Sequence, residues 1–435
     1  MSRPSIIDLF AGVGGMSLGM EAAGFDIDIS VELNPVHAAV HHFNFPYTST
    51  ICGDLTKIST IELASILEER NRNELDVLVG GAPCQGFSQI GKRQLDDPRN
   101  QLVFEYFRVV RDLRPKYFVF ENVPGIIAGK HKQFISELIE EFDKIGYSIT
   151  LPYKVLNAAN FNVAQSRKRF ILLGTRKGQT KLSYPLALCN KSEKENTFSL
   201  FPNNDCRVPT AHDAINDLEP FHAFVGEDEG IPFSEINYGE YSKKLSFLKS
   251  AEFALCHNRN LNSNYLWGHL GSKHTEISIK RFAATIPGKT EKGSRFFRLS
   301  PELPCNTLRA GTPSGKGAFT AARPIHYSYP RCITIREAAR LHSYPDWFNF
   351  HRTIWHGFRQ IGNSVAPLFA KSIGEATIRN LKVNLDNLEI YELEKQEEKL
   401  TKMNMTEATK YFGYDRNYMP TRKRSQSKKI AAIYE

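Results

Sequence analysis

The 435-residue sequence lacks the long apolar segments by which membrane and secreted proteins are recognised. No run of apolar residues approaches the roughly 18 that are needed to span a bilayer. The first residues lead directly into a predicted strand at Ser5, without the apolar core of a signal peptide. We therefore expect a protein with neither a membrane span nor a secretion signal.

Cysteine is scarce, and its spacing is irregular. The seven cysteines are an odd number and form no Cys-X-X-Cys pair. This pattern argues against a disulfide framework and against a structural zinc site, so the sequence predicts no metal. A reducing cytoplasm suits such cysteines, because their thiols stay free there.

Acidic residues are fewer than basic ones. Lysine and arginine total 56 residues against 47 acidic ones, which gives a net charge of +9. Two interpretations stay open, a generally basic solvated surface and a polyanionic partner whose phosphates would release counterions on binding. The hydrophobic content of 41% is that of a soluble globular protein, and the length allows two or three domains.

The N-terminal residues predict the first unit of a doubly wound α/β sheet. A short apolar strand, 5–10, runs into a glycine turn with Gly12 and Gly14, and a helix is predicted from Met16. The next predicted strand ends at Glu32, 20 residues after Gly12, where nucleotide-binding units place a carboxylate for ribose hydroxyls. A glycine turn alone would also fit any tight connection between a strand and a helix.

A third short element, 49–52, is followed by Gly53 and Asp54. The Asp54 carboxylate has two possible roles, accepting a hydrogen bond from an adenine amino group or capping a helix.

The most informative stretch is 80–88, which contains Cys84 in a turn rich in glycine and proline. It follows a buried strand predicted over 75–79, and open α/β sheets bind ligands at such strand ends. A further carboxylate, Glu121, follows the next predicted strand, 117–120, and is expected at the same crevice. Each residue alone has an alternative interpretation: Cys84 could be a small buried residue, and Glu121 could be a glutamate in a surface loop.

A basic run comes directly before a predicted strand over 170–174. Arg167 and Arg169 stand at alternate positions, which would place two guanidinium groups on one face. A solvated charge run is the alternative.

The composition changes between about 176 and 330, where regular patterns are weak, and we place a second, less regular domain there. Basic residues alternate with aromatic ones, which suits loops that lie along a nucleic-acid groove. The basic residues are Lys280, Arg281, Lys289, Lys292, Arg295, Arg298, Arg309, Lys316 and Arg323, and the aromatic ones Phe282, Phe296, Phe297 and Phe319. Regular patterns return with helices predicted over 333–342, 368–381 and 388–402, before a basic C-terminal tail.

Six segments in this order resemble those of the DNA (cytosine-5) methyltransferase family. They cover residues 1–175 and about 325–382. The matching segments are Asp8-Leu9-Phe10-Ala11-Gly12-Val13-Gly14-Gly15, Pro83-Cys84-Gln85, Glu121-Asn122-Val123, Gln165-Ser166-Arg167-Lys168-Arg169, Arg336-Glu337-Ala338-Ala339-Arg340-Leu341 and Gln360-Ile361-Gly362-Asn363-Ser364. One departure is mild, because Gly81-Ala82 precedes Pro83 where many members carry a second proline or a bulkier residue.

The resemblance implies a Rossmann-like sheet that binds S-adenosyl-L-methionine, together with an irregular target-recognition domain. The expected catalytic domain is 1–175, completed by 325–385. The recognition domain is 176–324, and 386–435 is a charged C-terminal extension. By resemblance, Phe10 contacts the adenine, Gly12 and Gly14 line the turn, and Glu32 binds the ribose hydroxyls. The other positions implied for the cofactor pocket are Leu33, Asp54, Leu55, Pro83, Leu102, Asn363 and Ser364.

The resemblance also implies the catalytic roles. The Cys84 thiolate adds to carbon 6 of a cytosine flipped out of the duplex, and Glu121 supplies a proton at ring nitrogen 3. Arg167 and Arg169 hold the cytosine carbonyl oxygen and orient Glu121. Residues implied to contact the DNA are Gln85, Ser88, Thr307, Leu308 and Arg309.

The expected function is methylation of carbon 5 of cytosine within a specific double-stranded DNA sequence, as in prokaryotic restriction-modification systems. We expect a monomer in the cytoplasm, associated with the nucleoid, with a cognate restriction endonuclease as a possible partner. Three alternatives stay open: a transfer RNA cytosine-5 methyltransferase, an inactive DNA-binding relative and an unrelated cysteine hydrolase. Intact Cys84, Glu121, Arg167 and Arg169 speak against the second, and the absence of a suitably placed histidine speaks against the third.

Overall fold

The computed structural model describes residues 3–83, 101–129, 131–189, 207–246, 250–259, 264–311 and 323–414. Within these ranges one sheet of eight strands dominates the fold. Its strands are β1 (Ser5–Leu9), β2 (Asp26–Glu32), β3 (Ser49–Cys52), β4 (Val77–Gly80), β5 (Tyr117–Asn122), β6 (Tyr147–Ile149), β7 (Lys154–Asn157) and β8 (Lys168–Arg176).

The order of the sheet is β3-β2-β1-β4-β5-β8-β6, and β7 pairs with the first residues of β8 on the same side as β6. Strands β1 to β5 run parallel, whereas β8 pairs antiparallel with β5. The carboxyl ends of the parallel strands and the beginning of β8 therefore meet at one edge. We call this edge the catalytic edge.

The helices lie on both faces of the sheet and in the segments beyond it. Their bounds are α1 (Gly15–Ala22), α2 (Pro35–Asn44), α3 (Thr60–Glu69), α4 (Gln101–Leu113), α5 (His131–Lys144), α6 (Ala211–Ile215), α7 (Glu240–Ser246), α8 (Glu276–Ala284), α9 (Ile335–Leu341), α10 (Ile354–Asn363), α11 (Pro367–Ile378) and α12 (Met405–Tyr411).

Nearly every residue of the central strands is apolar because both faces of the sheet are covered. Successive residues point to opposite faces, so Val79 and Val119 join the core that contains α1 and α11. Their neighbours Leu78 and Phe118 join the core that contains α4 and α5. The prediction of a doubly wound α/β sheet is confirmed.

The chain returns to the first helix after the middle region, because α11 packs closely on α1. A Cβ atom added to Gly19 would lie 2.4 Å from the Ala370 Cβ atom, and one added to Gly374 would lie 2.6 Å from the Ala23 Cβ atom. Such a close approach of two helices requires residues without side chains at these positions. The segment after residue 325 is thus part of the same core as residues 3–175.

Beyond the sheet, the described middle segments are irregular, with three two-residue strands: β9 (Ile231–Pro232), β10 (Asn258–Arg259) and β11 (Tyr265–Leu266). A buried ion pair anchors β10, because the Arg259 Nη2 atom lies 2.6 Å from Oε2 of Glu21 in α1. A last strand, β12 (Glu392–Leu393), pairs with β10, and α12 packs on α2. The boundaries of 176–324 and 386–435 as separate units stay predictions.

Several elements differ from the sequence predictions. The strand predicted over 148–156 is two strands, β6 and β7, because Pro152 cannot donate a hydrogen bond to the ladder. The helix predicted over 388–402 contains β12 and a short turn of 3₁₀ helix instead. The helices that were not predicted are α2, α3, α6, α7, α8, α10 and α12. For α2 a start signal was present, because Asn34 stands before Pro35. The helix predicted over 333–342 is observed as α9, and the Thr334 side chain caps it by accepting a hydrogen bond from the Glu337 N–H.

Three further observations concern features that the sequence was expected to lack. No helix in the described ranges is long and apolar enough to cross a membrane. Among the same residues, no three or more His, Cys, Asp or Glu side chains are grouped so that they could hold a metal ion. Cys189 is disulfide-bonded, which the scattered cysteines did not predict.

Candidate active site

The glycine turn that follows β1 lies at the catalytic edge. Phe10, Gly12 and Gly14 all have positive φ angles, of 59°, 59° and 96°. A Cβ atom on Gly14 would lie 2.3 Å from the Phe45 ring, whereas one on Gly12 would have no described atom within 4 Å. Gly14 therefore allows tight packing behind the turn, and Gly12 leaves its front open to a ligand.

Glu32, at the end of β2, holds this turn in place. Its Oε2 atom accepts a hydrogen bond from the Gly12 backbone N–H at 2.9 Å, and Oε1 accepts one from Asn34 at 2.8 Å. Burial raises the pKa of this carboxyl. Because each carboxylate oxygen can accept two hydrogen bonds, Glu32 retains the capacity to bind hydroxyl groups.

The other predicted cofactor residues differ in exposure. Asp54 accepts two hydrogen bonds from Thr56, both on Oδ1, and so stabilises a turn, whereas the cap of α3 is Ser59. Leu33 is 41% exposed, whereas Leu55 is buried beneath the same edge. Of the remaining four residues, Pro83 and Asn363 are exposed, Leu102 is half-buried and Ser364 is buried.

A buried polar chain that the sequence analysis missed lies behind the glycine turn. The Ser17 hydroxyl donates a hydrogen bond to Oδ2 of Asp8 at 2.6 Å, and the His41 Nε2 atom lies 3.1 Å from the same hydroxyl. All three residues are at most 1% exposed. Burial raises the pKa of Asp8 to about 7 and lowers that of His41 to about 3. The sequence did contain a signal for this chain, because Asp8 is a carboxylate within the apolar strand predicted over 5–10.

Asp8→Asn should change how stability depends on pH. An unfolded aspartate has a pKa near 4. The folded protein therefore retains the Asp8 proton up to about pH 7, and this contribution to stability is lost as pH rises from about 4 through 7. Asparagine can accept the same Ser17 hydrogen bond without ionising. At pH 8 the variant should exceed the wild type in unfolding free energy by up to about 4 kcal/mol, and near pH 4 the difference should vanish.

Denaturant unfolding of both proteins at several pH values measures this difference. An unfolding free-energy difference that stays constant between pH 4 and pH 8 would contradict the buried, protonated Asp8.

Glu121 and Arg169 form an ion pair at the centre of the catalytic edge. The Arg169 Nε atom lies 2.7 Å from Oε1 of Glu121, and both side chains are nearly buried. Glu121 is the penultimate residue of β5, and Arg169 is the second residue of β8, which runs in the opposite direction. The antiparallel pairing of these strands therefore brings together two groups that are 48 positions apart in sequence.

The segment that leads to Cys84 packs directly against this pair. A Cβ atom added to Gly81 would lie 2.6 Å from Oε2 of Glu121. Asn122 Nδ2 donates a hydrogen bond to the Ala82 carbonyl at 3.0 Å, which ties the end of β5 to the same segment. Asn122 was matched only as part of a motif, and its positioning role was not predicted.

Gly81→Ala should reduce turnover much more than stability. The added methyl group must displace the Glu121 carboxylate, which Arg169 holds in place, and a misplacement near 1 Å can cost on the order of 10²-fold in rate. Gly125→Ala is the matched control, because its Cβ atom would meet no described atom closer than 4.0 Å. Steady-state turnover and thermal unfolding measure the two effects, and full activity of Gly81→Ala would contradict this packing.

Arg167 points into the protein and joins three segments. Its Nη1 atom donates to the Leu308 carbonyl at 2.9 Å, and Nη2 donates to the carbonyls of Gly362 and Ser364 at 2.8 and 3.0 Å. It is 2% exposed, and burial together with the Arg169 cation lowers its pKa to about 9. The two arginines predicted to share one face therefore have different surroundings.

The three residues predicted to contact DNA at 307–309 also differ in exposure. Leu308 is 3% exposed, so its side chain packs in the core, and its N–H donates to Gln165 Oε1 at 3.1 Å. The Thr307 hydroxyl donates to the Ser166 carbonyl at 2.8 Å. Only Arg309 of the three is exposed, and the prediction that Leu308 reads DNA is not supported by its burial.

Three predicted residues, Cys84, Gln85 and Ser88, lie outside the described residues. The site that can be described is thus the surrounding frame: the turn with Gly12, the Glu121–Arg169 pair and the segment 81–83. This frame places the Glu121 carboxylate, paired with Arg169, against Gly81, three residues before Cys84 in the sequence.

Comparisons with known proteins agree on one family. Residues 5–379 match the family model for C-5 cytosine-specific DNA methylases. The Type II methyltransferase M.XorII of Xanthomonas oryzae is 45% identical over 430 residues, which cover 98% of this chain and 96% of that protein. M1.HphI of Haemophilus parahaemolyticus, also named a Type II methyltransferase, is 33% identical over 378 residues, 86% of each chain.

A solved structure is similar over most of the chain. It is described as a DNA modification methyltransferase encoded within an E. coli prophage, and it is 32% identical with a TM-score of 0.69. The match covers 87% of this chain and all of that one.

Proposed function

The chain belongs to the C-5 cytosine-specific DNA methylase family, and on that premise we propose which of its residues carry out the reaction. The enzyme methylates carbon 5 of cytosine in DNA, in the manner of restriction-modification systems. The observation that best supports a specific mechanism is the 2.7 Å pair of Glu121 and Arg169, next to the segment that leads to Cys84.

In this mechanism Cys84 is the nucleophile. Its thiolate forms a bond from sulfur to carbon 6 of a cytosine held outside the duplex, because both ring carbons are shielded within the stack. In the complex with cytosine Glu121 carries a proton, which it gives to ring nitrogen 3 as that bond forms, and nitrogen 3 takes up the electron pair displaced from the ring. Arg169 donates to the cytosine carbonyl oxygen and keeps Glu121 oriented.

The addition makes carbon 5 nucleophilic, so that it accepts a methyl group. A water molecule then takes the proton from carbon 5, and the electron pair left there re-forms the double bond to carbon 6 as the bond to Cys84 breaks. Nitrogen 3 returns its proton to Glu121. The cysteine leaves as a thiolate, and the ring regains its aromatic character with a methyl group in place of hydrogen.

The methyl donor that we propose is S-adenosyl-L-methionine, which supplies an electrophilic methyl group on a sulfonium. The described pocket fits this donor, because Gly12 is open at its front and Glu32 can accept from ribose hydroxyls. Phe10 would contact the adenine and Asp54 Oδ2 its amino group. Leu33, Leu55, Pro83, Leu102, Asn363 and Ser364 would complete the wall.

Arg167 has a positioning role in this proposal. It donates hydrogen bonds to the carbonyls of Leu308, Gly362 and Ser364. These bonds fix the beginning of β8 against the segments that contain Leu308 and Gly362. The contact with cytosine is assigned to Arg169, whose guanidinium lies at the catalytic edge. Gln85, Ser88, Thr307 and Arg309 remain the proposed DNA contacts.

We place sequence recognition in residues 176–324, since the catalytic residues lie outside this range. The relatives named Type II methyltransferases support a partner restriction endonuclease that cuts the same site. A monomer in the bacterial cytoplasm, associated with the nucleoid, is the proposed state of the protein.

A transfer assay with a labelled methyl donor tests the proposal. Duplex DNA should be methylated and transfer RNA should not, and bisulfite sequencing of DNA from an expressing host should locate the modified cytosine. Labelling of transfer RNA alone would overturn the assigned substrate.

A further inference from the structure

One exposed element in the middle region combines an excess of positive charge with exposed apolar side chains. It spans residues 273–297 and consists of α8 followed by a turn in which Thr290 pairs with Phe297. We call it the arm. It carries six lysine or arginine residues and two glutamates, a net charge of +4. Two of its isoleucines, Ile277 and Ile286, are 70% and 68% exposed.

The arm is held firmly at its base. Phe282 is 2% exposed and packs with Ile325 and Cys332. The buried Arg298 guanidinium donates to the carbonyls of Phe282 and Thr285 at 3.0 and 2.7 Å, which satisfies the C-terminal end of α8.

The tip of the arm is fixed by a second charged group. Glu291 accepts two hydrogen bonds from Arg281, at 3.0 and 2.6 Å, and one from the Gly293 N–H at 2.9 Å. An exposed element that is braced in this way loses little conformational entropy when a partner binds.

These contacts separate the basic and aromatic residues of the sequence pattern into two groups. Arg281, Phe282 and Arg298 maintain the fold of the arm and are engaged in it. The exposed cations of the arm outside the Arg281–Glu291 pair are Lys273, Lys280, Lys289, Lys292 and Arg295. Of the aromatic residues expected to interact with nucleic acid, Phe282, Phe296 and Phe297 are therefore packing residues, and Phe319 lies outside the described residues. The exposed apolar groups of the arm are isoleucines instead.

The outer face of α8 combines both kinds of side chain. Ile277 and Lys280 are three residues apart, so they lie on the same face of the helix. Phe282 points to the opposite face, into the core. A lysine can donate to guanine O6 and N7, and an aliphatic side chain can contact the methyl group of thymine; both groups are displayed in the major groove.

We propose that the arm enters the major groove of the substrate DNA and reads base edges through Ile277 and Lys280. The positive charge of the arm complements the phosphates on either side of the groove. This inference rests on the proposed function, and it names the element that sets the target sequence.

The base of the arm is connected to the catalytic edge by a short segment. Beyond Arg298, the Cys305 N–H donates to the Ala164 carbonyl at 2.9 Å, and the Cys305 carbonyl accepts from Ser166 at 2.7 Å. The same segment continues to Leu308, which Arg167 holds. A base sequence bound at the arm is thereby linked to the position of β8.

The test measures discrimination between DNA sequences. After bisulfite mapping of the wild-type target, kcat/KM is determined on the target duplex and on duplexes that each change one base pair. Ile277→Ala and Lys280→Ala should each lower kcat/KM on the target by about 10-fold or more. Each should also relax specificity at one base-pair position, so that kcat/KM on the target and on the duplex changed at that position become more alike. Ile61→Ala and Lys144→Ala are the controls, since both residues are exposed at 79% and 65% on other helices.

The outcomes separate this inference from the proposed function. If the wild type methylates no duplex, the proposed function has failed. If the wild type is active and the arm variants behave like the controls, the inference alone is overturned. An equal loss on all duplexes also overturns it, because contacts to phosphate weaken binding without regard to sequence.

Discussion

Cys84→Ala protein is expected to transfer no measurable methyl groups to duplex DNA, a loss of at least about 10⁴-fold. Without the sulfur no bond to carbon 6 forms, and carbon 5 is then too weak a nucleophile to accept the methyl group. Binding of DNA should persist, because it depends on phosphate and groove contacts elsewhere. Initial rates with a labelled donor and equilibrium binding to the same duplex measure the two properties.

The matched control is Cys332→Ala. Burial raises the pKa of the Cys332 thiol to about 12, so this group stays protonated and has no nucleophilic role at neutral pH. Turnover by this variant should therefore resemble that of the wild type. Appreciable methyl transfer by Cys84→Ala would exclude the covalent mechanism.

A duplex with 5-fluorocytosine at the target position provides independent evidence. Fluorine cannot leave as a proton, so elimination stops after the methyl group has been added. The wild type should therefore form a complex that survives denaturing electrophoresis, whereas Cys84→Ala should form none.

The sequence predicts the catalytic edge well because its parts are local. Each parallel strand is a short apolar run, and the residue that follows it must lie at the carboxyl end of the sheet. This reasoning gives the turn with Gly12, the position of Glu32 and the position of Glu121. The pairing of Glu121 with Arg169 also follows in outline, since the resemblance assigns both to one site.

Other features depend on contacts between distant segments, and local patterns do not contain them. The alternation of Arg167 and Arg169 suggests equal roles, but carbonyls of Leu308, Gly362 and Ser364 surround only Arg167. The buried chain of Asp8, Ser17 and His41 arises where β1, α1 and α2 meet.

The middle region shows the same limit. Basic and aromatic residues alternate there, but the pattern does not reveal which side chains face the core. Packing buries Phe282 and Leu308 and leaves Ile277 and Lys280 exposed. The surface available to DNA therefore differs from the one that composition suggests.

Glu121→Gln is expected to lower kcat by about 10²- to 10⁴-fold while DNA binding changes little. Glutamine has nearly the same shape, and its Oε1 atom can still accept the Arg169 hydrogen bond. It therefore keeps the packing against Gly81, but it cannot give a proton to nitrogen 3. The loss should appear in the chemical step, which single-turnover methyl transfer measures at saturating DNA.

The 5-fluorocytosine duplex identifies the step at which Glu121 acts. If its proton assists the attack by Cys84, the covalent complex should form more slowly in Glu121→Gln by about the same factor as turnover. Arg169→Lys is the companion variant. It keeps the positive charge but loses the planar guanidinium that holds both Glu121 and a carbonyl oxygen. We therefore expect its kcat to fall by less than that of Glu121→Gln. Adduct formation at the wild-type rate in Glu121→Gln would show that Glu121 is not needed for the addition to carbon 6.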